Sequence, residues 1–340
     1  MFPTGTCADG TRVEGTTETL WFDAKRRLSR CRRTVTVILP DGTTIFGEKI
    51  HQKHPVSFSE VKGWLKNAFC YIWDEPPAAM YSHMRRMCEL VKKIAPDVPR
   101  MTVANYEPFE LEGLSDIWCP NMGDARRDVG CYDQYRDFYE RRKKAGDEVW
   151  WYLAVEPSPY PLWDLDYPLV DCRITGWLTW RYGLDGLGYW NTTAWHYPTR
   201  RDKSYEGNIG LKSDDRWPNK PWDPTHLSSV LGKPAQCPGC GQLVYPGADG
   251  PISSIRLEVI RDGIEDYEYL RLLERKTAAL SKKRATPARQ KLLRASQRVL
   301  GAARRAANRA DDWERNGQKL LALRNRIGRQ IEAVSQALRR

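Results

Sequence analysis

From residue 59 onward, short apolar runs alternate with longer stretches in which apolar positions recur every three to four residues. The runs are Ala68–Trp73, Arg100–Tyr106, a short one ending at Cys119, Glu148–Ala154 and Asp185–Trp190. Short continuous apolar runs predict strands buried on both faces, the habit of parallel sheets. Between them the spacing predicts helices over Ser59–Asn67, Ala78–Ala95, Asp133–Ala145 and Val170–Tyr182. Ser59 caps the first, Pro96 stops the second, and Gly146 and Gly183 end the last two. Further upstream, Thr34–Leu39 and Thr43–Glu48 flank Pro40-Asp41-Gly42 and predict a β-hairpin.

Strands alternating with helices imply a parallel α/β fold. Each predicted strand ends in a polar or aromatic cluster: Asp74-Glu75, Asn105-Tyr106-Glu107, Pro120-Asn121, Glu156, and Trp190-Asn191. Barrels of this class build their sites from the loops at those strand ends. Residues 1–58 offer one or two further strands at most. The expectation is therefore a TIM-type (β/α)8 barrel, incomplete at its N-terminal end. It divides into a partial barrel start at 1–58, a barrel segment at 59–275 and a basic helical tail at 276–340.

Composition narrows the class. Of 340 residues, 41% are hydrophobic and 29% charged, which excludes wholesale disorder. No apolar run approaches the ~20 residues of a membrane span, so no membrane insertion is expected. The first fifteen residues lack the apolar stretch of a secretion signal. The 14 tryptophans are roughly three times average usage.

The net charge of +11 invites a nucleic-acid reading until the charges are placed. Residues 276–340 hold 18 Lys/Arg against 4 Asp/Glu, and the preceding 275 residues are near neutral. Leu292, Leu293, Val299 and Leu300, then Leu320, Leu321, Leu323, Ile327 and Ile331, have helical spacing and predict one or two amphipathic helices. Without aromatic interleaving or a recognised motif, a solvated helical appendage is the expectation and a nucleic-acid partner is not.

The nine cysteines are odd in number and irregularly spaced, so they make no disulfide framework. Cys237-Pro-Gly-Cys240 is half a zinc knuckle without a second pair, which leaves a loop clip or two incidental cysteines. No catalytic metal and no cofactor are expected.

The most informative stretch is Tyr71-Ile72-Trp73-Asp74-Glu75-Pro76-Pro77. Neighbours on a regular strand point to opposite faces, but where the backbone turns at a strand end both carboxylates can reach one mouth. Adjacent anions resist ionising together, which sets an acid beside an anion.

This stretch recurs in order with Val149-Trp150-Trp151-Tyr152, with Trp177–Trp190, and with Ser253–Glu258 running into Arg261–Leu270. Together they resemble the catalytic domain of glycoside hydrolase family 123, the β-N-acetylgalactosaminidase-like group, over residues 34–275. The resemblance implies a (β/α)8 barrel that hydrolyses β-linked N-acetylhexosaminides with retention, the substrate's 2-acetamido oxygen acting as nucleophile. Asp74 would orient that group and Glu75 would be general acid and base. Tyr106 would hydrogen-bond the acetamido group, and Trp190, Asn191 and Trp195 would form the sugar subsite, with a glycan as partner. The alternative is a non-catalytic carbohydrate-binding remnant that keeps the tryptophan walls. Relatives carry a β-sandwich and further strands ahead of the acid pair, so an N-terminally truncated reading is expected. An extracytoplasmic role would then require sequence ahead of Met1. The Asp262-Gly263-Ile264-Glu265 stretch has capping-box spacing and predicts a helix start. Arg256, Arg261, Glu265 and Asp266 are expected to pair with one another.

Overall fold

A computed structural model describes six short strands before residue 46 and then residues 68–123, 130–154, 158–193 and 238–339. The predicted helix Ser59–Asn67 lies outside the described residues. The chain divides into two compact units, Met1–Ala68 and Phe69–Arg340.

In the first unit, β1 (Gly5–Thr6), β2 (Arg12–Gly15), β5 (Val35–Ile38) and β6 (Thr44–Ile45) form an antiparallel sheet in that order. A separate ribbon pairs β3 (Leu20–Phe22) with β4 (Leu28–Cys31). The predicted hairpin is present, with Val37 opposite Ile45. Where the sequence predicts one or two strands, six are present among the described residues, and the pairings described for them are antiparallel.

The second unit holds the α/β fold. Its strands β7 (Cys70–Tyr71), β8 (Arg100–Thr102), β9 (Ile117–Trp118), β10 (Glu148–Leu153) and β11 (Gly186–Tyr189) form a curled parallel half-barrel sheet in chain order. Each strand is shorter than the apolar run that predicts it, because strand pairing stops where the chain turns into the loops. Helices α1 (Tyr81–Ile94), α2 (Cys131–Gln134), α3 (Arg136–Ala145) and α4 (Leu169–Tyr182) connect the strands. Period-two alternation sorts β10. Val149, Trp151 and Leu153 join the helix-side core, whereas Trp150 and Tyr152 face a cavity on the other side.

After the hairpin β12 (Val244–Gly247) and β13 (Gly250–Ser253) comes α5 (Ile255–Ser281), a single 27-residue helix. Its cap is Ser254, whose hydroxyl accepts the Leu257 amide at 3.2 Å, so the capping-box start at Asp262 is corrected. Gly263 sits mid-helix for another reason: a Cβ on Gly176 of α4 would stand 2.0 Å from the Gly263 carbonyl oxygen. The two helices cross backbone to backbone. Gly176→Ala is therefore expected to cost about 1–3 kcal/mol, read as a lower urea midpoint at unchanged slope.

The basic segment is not an appendage. Its helices α6 (Pro287–Ala306) and α7 (Gly317–Arg339) bury Val299, Leu300, Ala303, Leu320, Leu323, Ile327, Ile331 and Val334 in the same core as Trp151 and Leu178. The expected pairing within the Arg256–Asp266 block is also corrected. Buried Arg256 donates to the carbonyls of Trp163, Gly239 and Gln242, and Arg261 alone pairs inside the block. Asp266, 1% exposed, holds Arg173 of α4 at 2.6 Å and Arg324 of α7 at 3.4 Å.

Among the described residues, no helix is long and apolar enough to cross a membrane. Among the same residues, no three metal-ligating side chains come together.

Candidate active site

The open face of the sheet carries a cavity of about 400 Å³, lined among others by Phe69, Tyr71, Asp74, Trp150, Tyr152 and Trp190. Its floor is shaped by glycines. Trp150 lies against Gly186, where a Cβ would come within 2.4 Å of the indole, and Gly188 faces Tyr152 across the β10–β11 register. Larger residues on β11 would fill the space.

Asp74 and Glu75 follow β7 after Ile72 and Trp73. Asp74 lines the cavity, and the Tyr71 hydroxyl donates to its Oδ1 at 2.7 Å. Glu75 takes a φ of 42°, a left-handed backbone that costs a non-glycine residue about 1–2 kcal/mol. That turn breaks strand alternation between the two acids. The carboxylate of Glu75 accepts from the hydroxyl of Tyr152, a residue of the cavity wall contributed by β10.

Tyr152 is itself held. Asn105, 3% exposed at the end of β8, donates to its hydroxyl at 2.9 Å, and the Asn105 side-chain oxygen accepts from the Asn121 amide at 2.9 Å beyond β9. A line of hydrogen bonds thus crosses four strand ends to Glu75. Burial first, then the charge of Glu75, pushes the Tyr152 phenol far above its usual range, so it stays a donor to the carboxylate. Burial and the Asp74 contact do the same for Tyr71. Neither tyrosine was singled out from the sequence. The available signal was Tyr152 two residues after Trp150, hence on the same face, at a strand's C-terminal end.

The other expected site residues are spread around this centre. Trp190, 39% exposed, lines the cavity. Its indole N–H donates to Cys240 Sγ at 3.2 Å, and its ring rests on Gly241, where a Cβ would come within 2.5 Å. The Gly239-Cys240-Gly241 turn therefore seats Trp190, and the Cys240 sulfur also meets the Ala154 carbonyl at 3.5 Å. Asn191 turns its side-chain oxygen to the Thr193 amide at 2.9 Å. Tyr106 is half-buried beyond β8, takes the Tyr81 hydroxyl on its carbonyl, and lies outside the cavity lining. Trp195 and Cys237 fall outside the described residues.

Behind the Trp190 seat lies Asp164, 2% exposed, with one carboxylate oxygen buried and without a partner among the described residues. Burial, then the Asp166 charge, pushes its carboxyl up to about 7, while Arg256 and a Cys240 contact oppose this. Between about pH 4 and 7 the folded chain keeps a proton that the unfolded chain releases, so this group's contribution to stability falls as pH rises through that window. Asp164→Asn is expected to gain about 1–3 kcal/mol at pH 8 and little at pH 4, measured by urea denaturation at both.

No curated protein matches the chain. The family described as glycoside hydrolase 123, catalytic domain, matches residues 53–273. That span covers more than half of the sequence, takes in the whole half-barrel sheet with its acid pair and runs into α5, and by it the chain belongs to the glycoside hydrolase 123 family.

Proposed function

We propose that this protein hydrolyses β-linked N-acetylhexosaminides with retention, on a sheet that represents five strands of a TIM-type barrel. The observation that carries the reading is a consecutive acid pair at a strand end, each carboxylate fixed by a tyrosine hydroxyl at one cavity wall. In the first step the 2-acetamido carbonyl oxygen attacks the anomeric carbon, Glu75 gives its proton to the departing glycosidic oxygen, and an oxazolinium ion forms. Asp74 accepts from the acetamido N–H and balances its growing positive charge. Water then attacks the anomeric carbon, returns a proton to Glu75, and the acetamide reforms. Trp190 offers its face to the apolar side of the ring, with Asn191 and Trp195 completing the subsite. Tyr106, outside the cavity lining, would reach the acetamido group only by moving toward it.

The full chain tests this with aryl β-N-acetylgalactosaminide and aryl β-N-acetylglucosaminide. Fluorinating the acetyl group weakens its carbonyl as a nucleophile, so kcat should fall steeply with each fluorine. A flat series would point to a carboxylate nucleophile instead. Sugar binding with no turnover of any aryl glycoside would leave the carbohydrate-binding remnant as the reading.

Tyr152→Phe removes a donor from a charged acceptor and is expected to lower kcat about 10–100-fold with a small change in KM. A Tyr152→Phe enzyme with unchanged kcat would separate this tyrosine from the reaction.

A further inference from the structure

Helix α6 carries a charge arrangement that the cavity does not use. From Arg275 to Arg309 the chain has twelve lysines and arginines and no aspartate or glutamate. Several helical cations elsewhere on this protein are answered one turn away: Arg136 by Asp133, Lys143 by Glu140, Arg261 by Glu258. On α6 one face, made of Ser296, Val299, Leu300 and Ala303, is buried. Lys291, Arg294, Arg298 and Arg305 are exposed and have no acid partner among the described residues. At 100° per residue they fall within an arc of about 60°, and at 1.5 Å per residue they form a row about 20 Å long. Lys282, Lys283 and Arg284 extend the positive charge ahead of the helix, at the end where its dipole disfavours cations. Like charges three and four residues apart also cost the helix a few tenths of a kcal/mol each. The row is tolerated because the opposite face is packed in the core, and an anion along it would relieve the repulsion.

We propose that this row binds a linear anionic polysaccharide, holding the polymer on the domain that carries the glycosidase cavity. The choice of a glycan rests on the function proposed above and on one further observation. No aromatic residue lies between Tyr269 and Trp313, so the row gives nucleic-acid bases no stacking platform. Arginine, which supplies three of the four charges, matches sulfate and carboxylate with paired N–H donors.

The test uses the full chain carrying Glu75→Gln, so that binding is read without cleavage, titrated with chondroitin sulfate at increasing salt. The comparison is the same chain with Lys291→Gln, Arg294→Gln, Arg298→Gln and Arg305→Gln. A control loses four exposed cations elsewhere: Arg86, Lys92, Lys93 and Lys144, each to Gln. Log affinity should fall linearly with log salt. The row variant should bind more than tenfold more weakly at low salt, with a slope shallower by about four, and the control should change less than threefold. Absence of binding at low salt, equal losses in row and control variants, or tighter binding of duplex DNA of matched charge would each overturn the proposal. Turnover of aryl hexosaminides by the wild-type chain is scored separately, so a failed binding result leaves the hydrolase reading standing, and the converse holds.

Discussion

Replacing Glu75 by Gln is expected to lower kcat on an aryl β-N-acetylhexosaminide about 10²–10⁴-fold, the usual worth of a positioned general acid and base. The loss should grow with leaving-group basicity, because an alkoxide needs the donated proton more than a nitrophenolate does. Fold stability should change little, since Glu75 is exposed and the Gln carbonyl can still accept from Tyr152. Rates across a series of aryl and alkyl leaving groups, with unfolding curves for both proteins, check the claim. A kcat within a few-fold of wild type on alkyl glycosides would remove Glu75 from the mechanism. Asp74 answers a different question: Asp74→Asn should depress every leaving group alike, because it acts on the acetamido end of the reaction.

The largest stability effect is expected at Asp266, far from the cavity. Its carboxylate accepts from Arg173 Nε at 2.6 Å, from Arg173 Nη2 at 3.1 Å and from the Trp177 indole at 2.8 Å, and it faces Arg324 at 3.4 Å. One side chain thus ties α4 and α7 to α5. Breaking a buried pair from one side leaves the partner charge uncompensated, at about 3–5 kcal/mol. Both arginines keep some exposure, so the lower end of that range is expected for Asp266→Ala. Urea unfolding measures it. Exchanging Asp266, Arg173 and Arg324 together for leucine or methionine should recover much of the loss, whereas further loss in the triple variant would show that the contacts act independently.

Much of the second unit was legible because its information is local. Parallel strands read as apolar runs, and Gly146 and Gly183 do end α3 and α4, both with left-handed backbones. What escaped depends on partners distant in sequence. Gly263 looks like a break until Gly176 is set against it, 87 positions earlier along the chain. Asp266 reads as one acid among several until α4 and α7 bring it arginines. The acid pair itself was visible as a motif, but its fixation by Tyr152 arises only from stacking β7 to β10 side by side. The basic helices read as solvated because charge dominates their composition, although one face of each is packed in the core.

The order of the sheet bears on how the molecule is made. Because β7 to β11 pair in the order of synthesis, each new strand can dock on the one before it, which favours rapid local assembly. The apolar flank of α5, in contrast, waits for Leu320, Ile327 and Val334, the last buried contributions to emerge. A nascent chain stalled before α7 would carry an exposed sticky helix, and quality-control proteases and chaperones would meet it in that state.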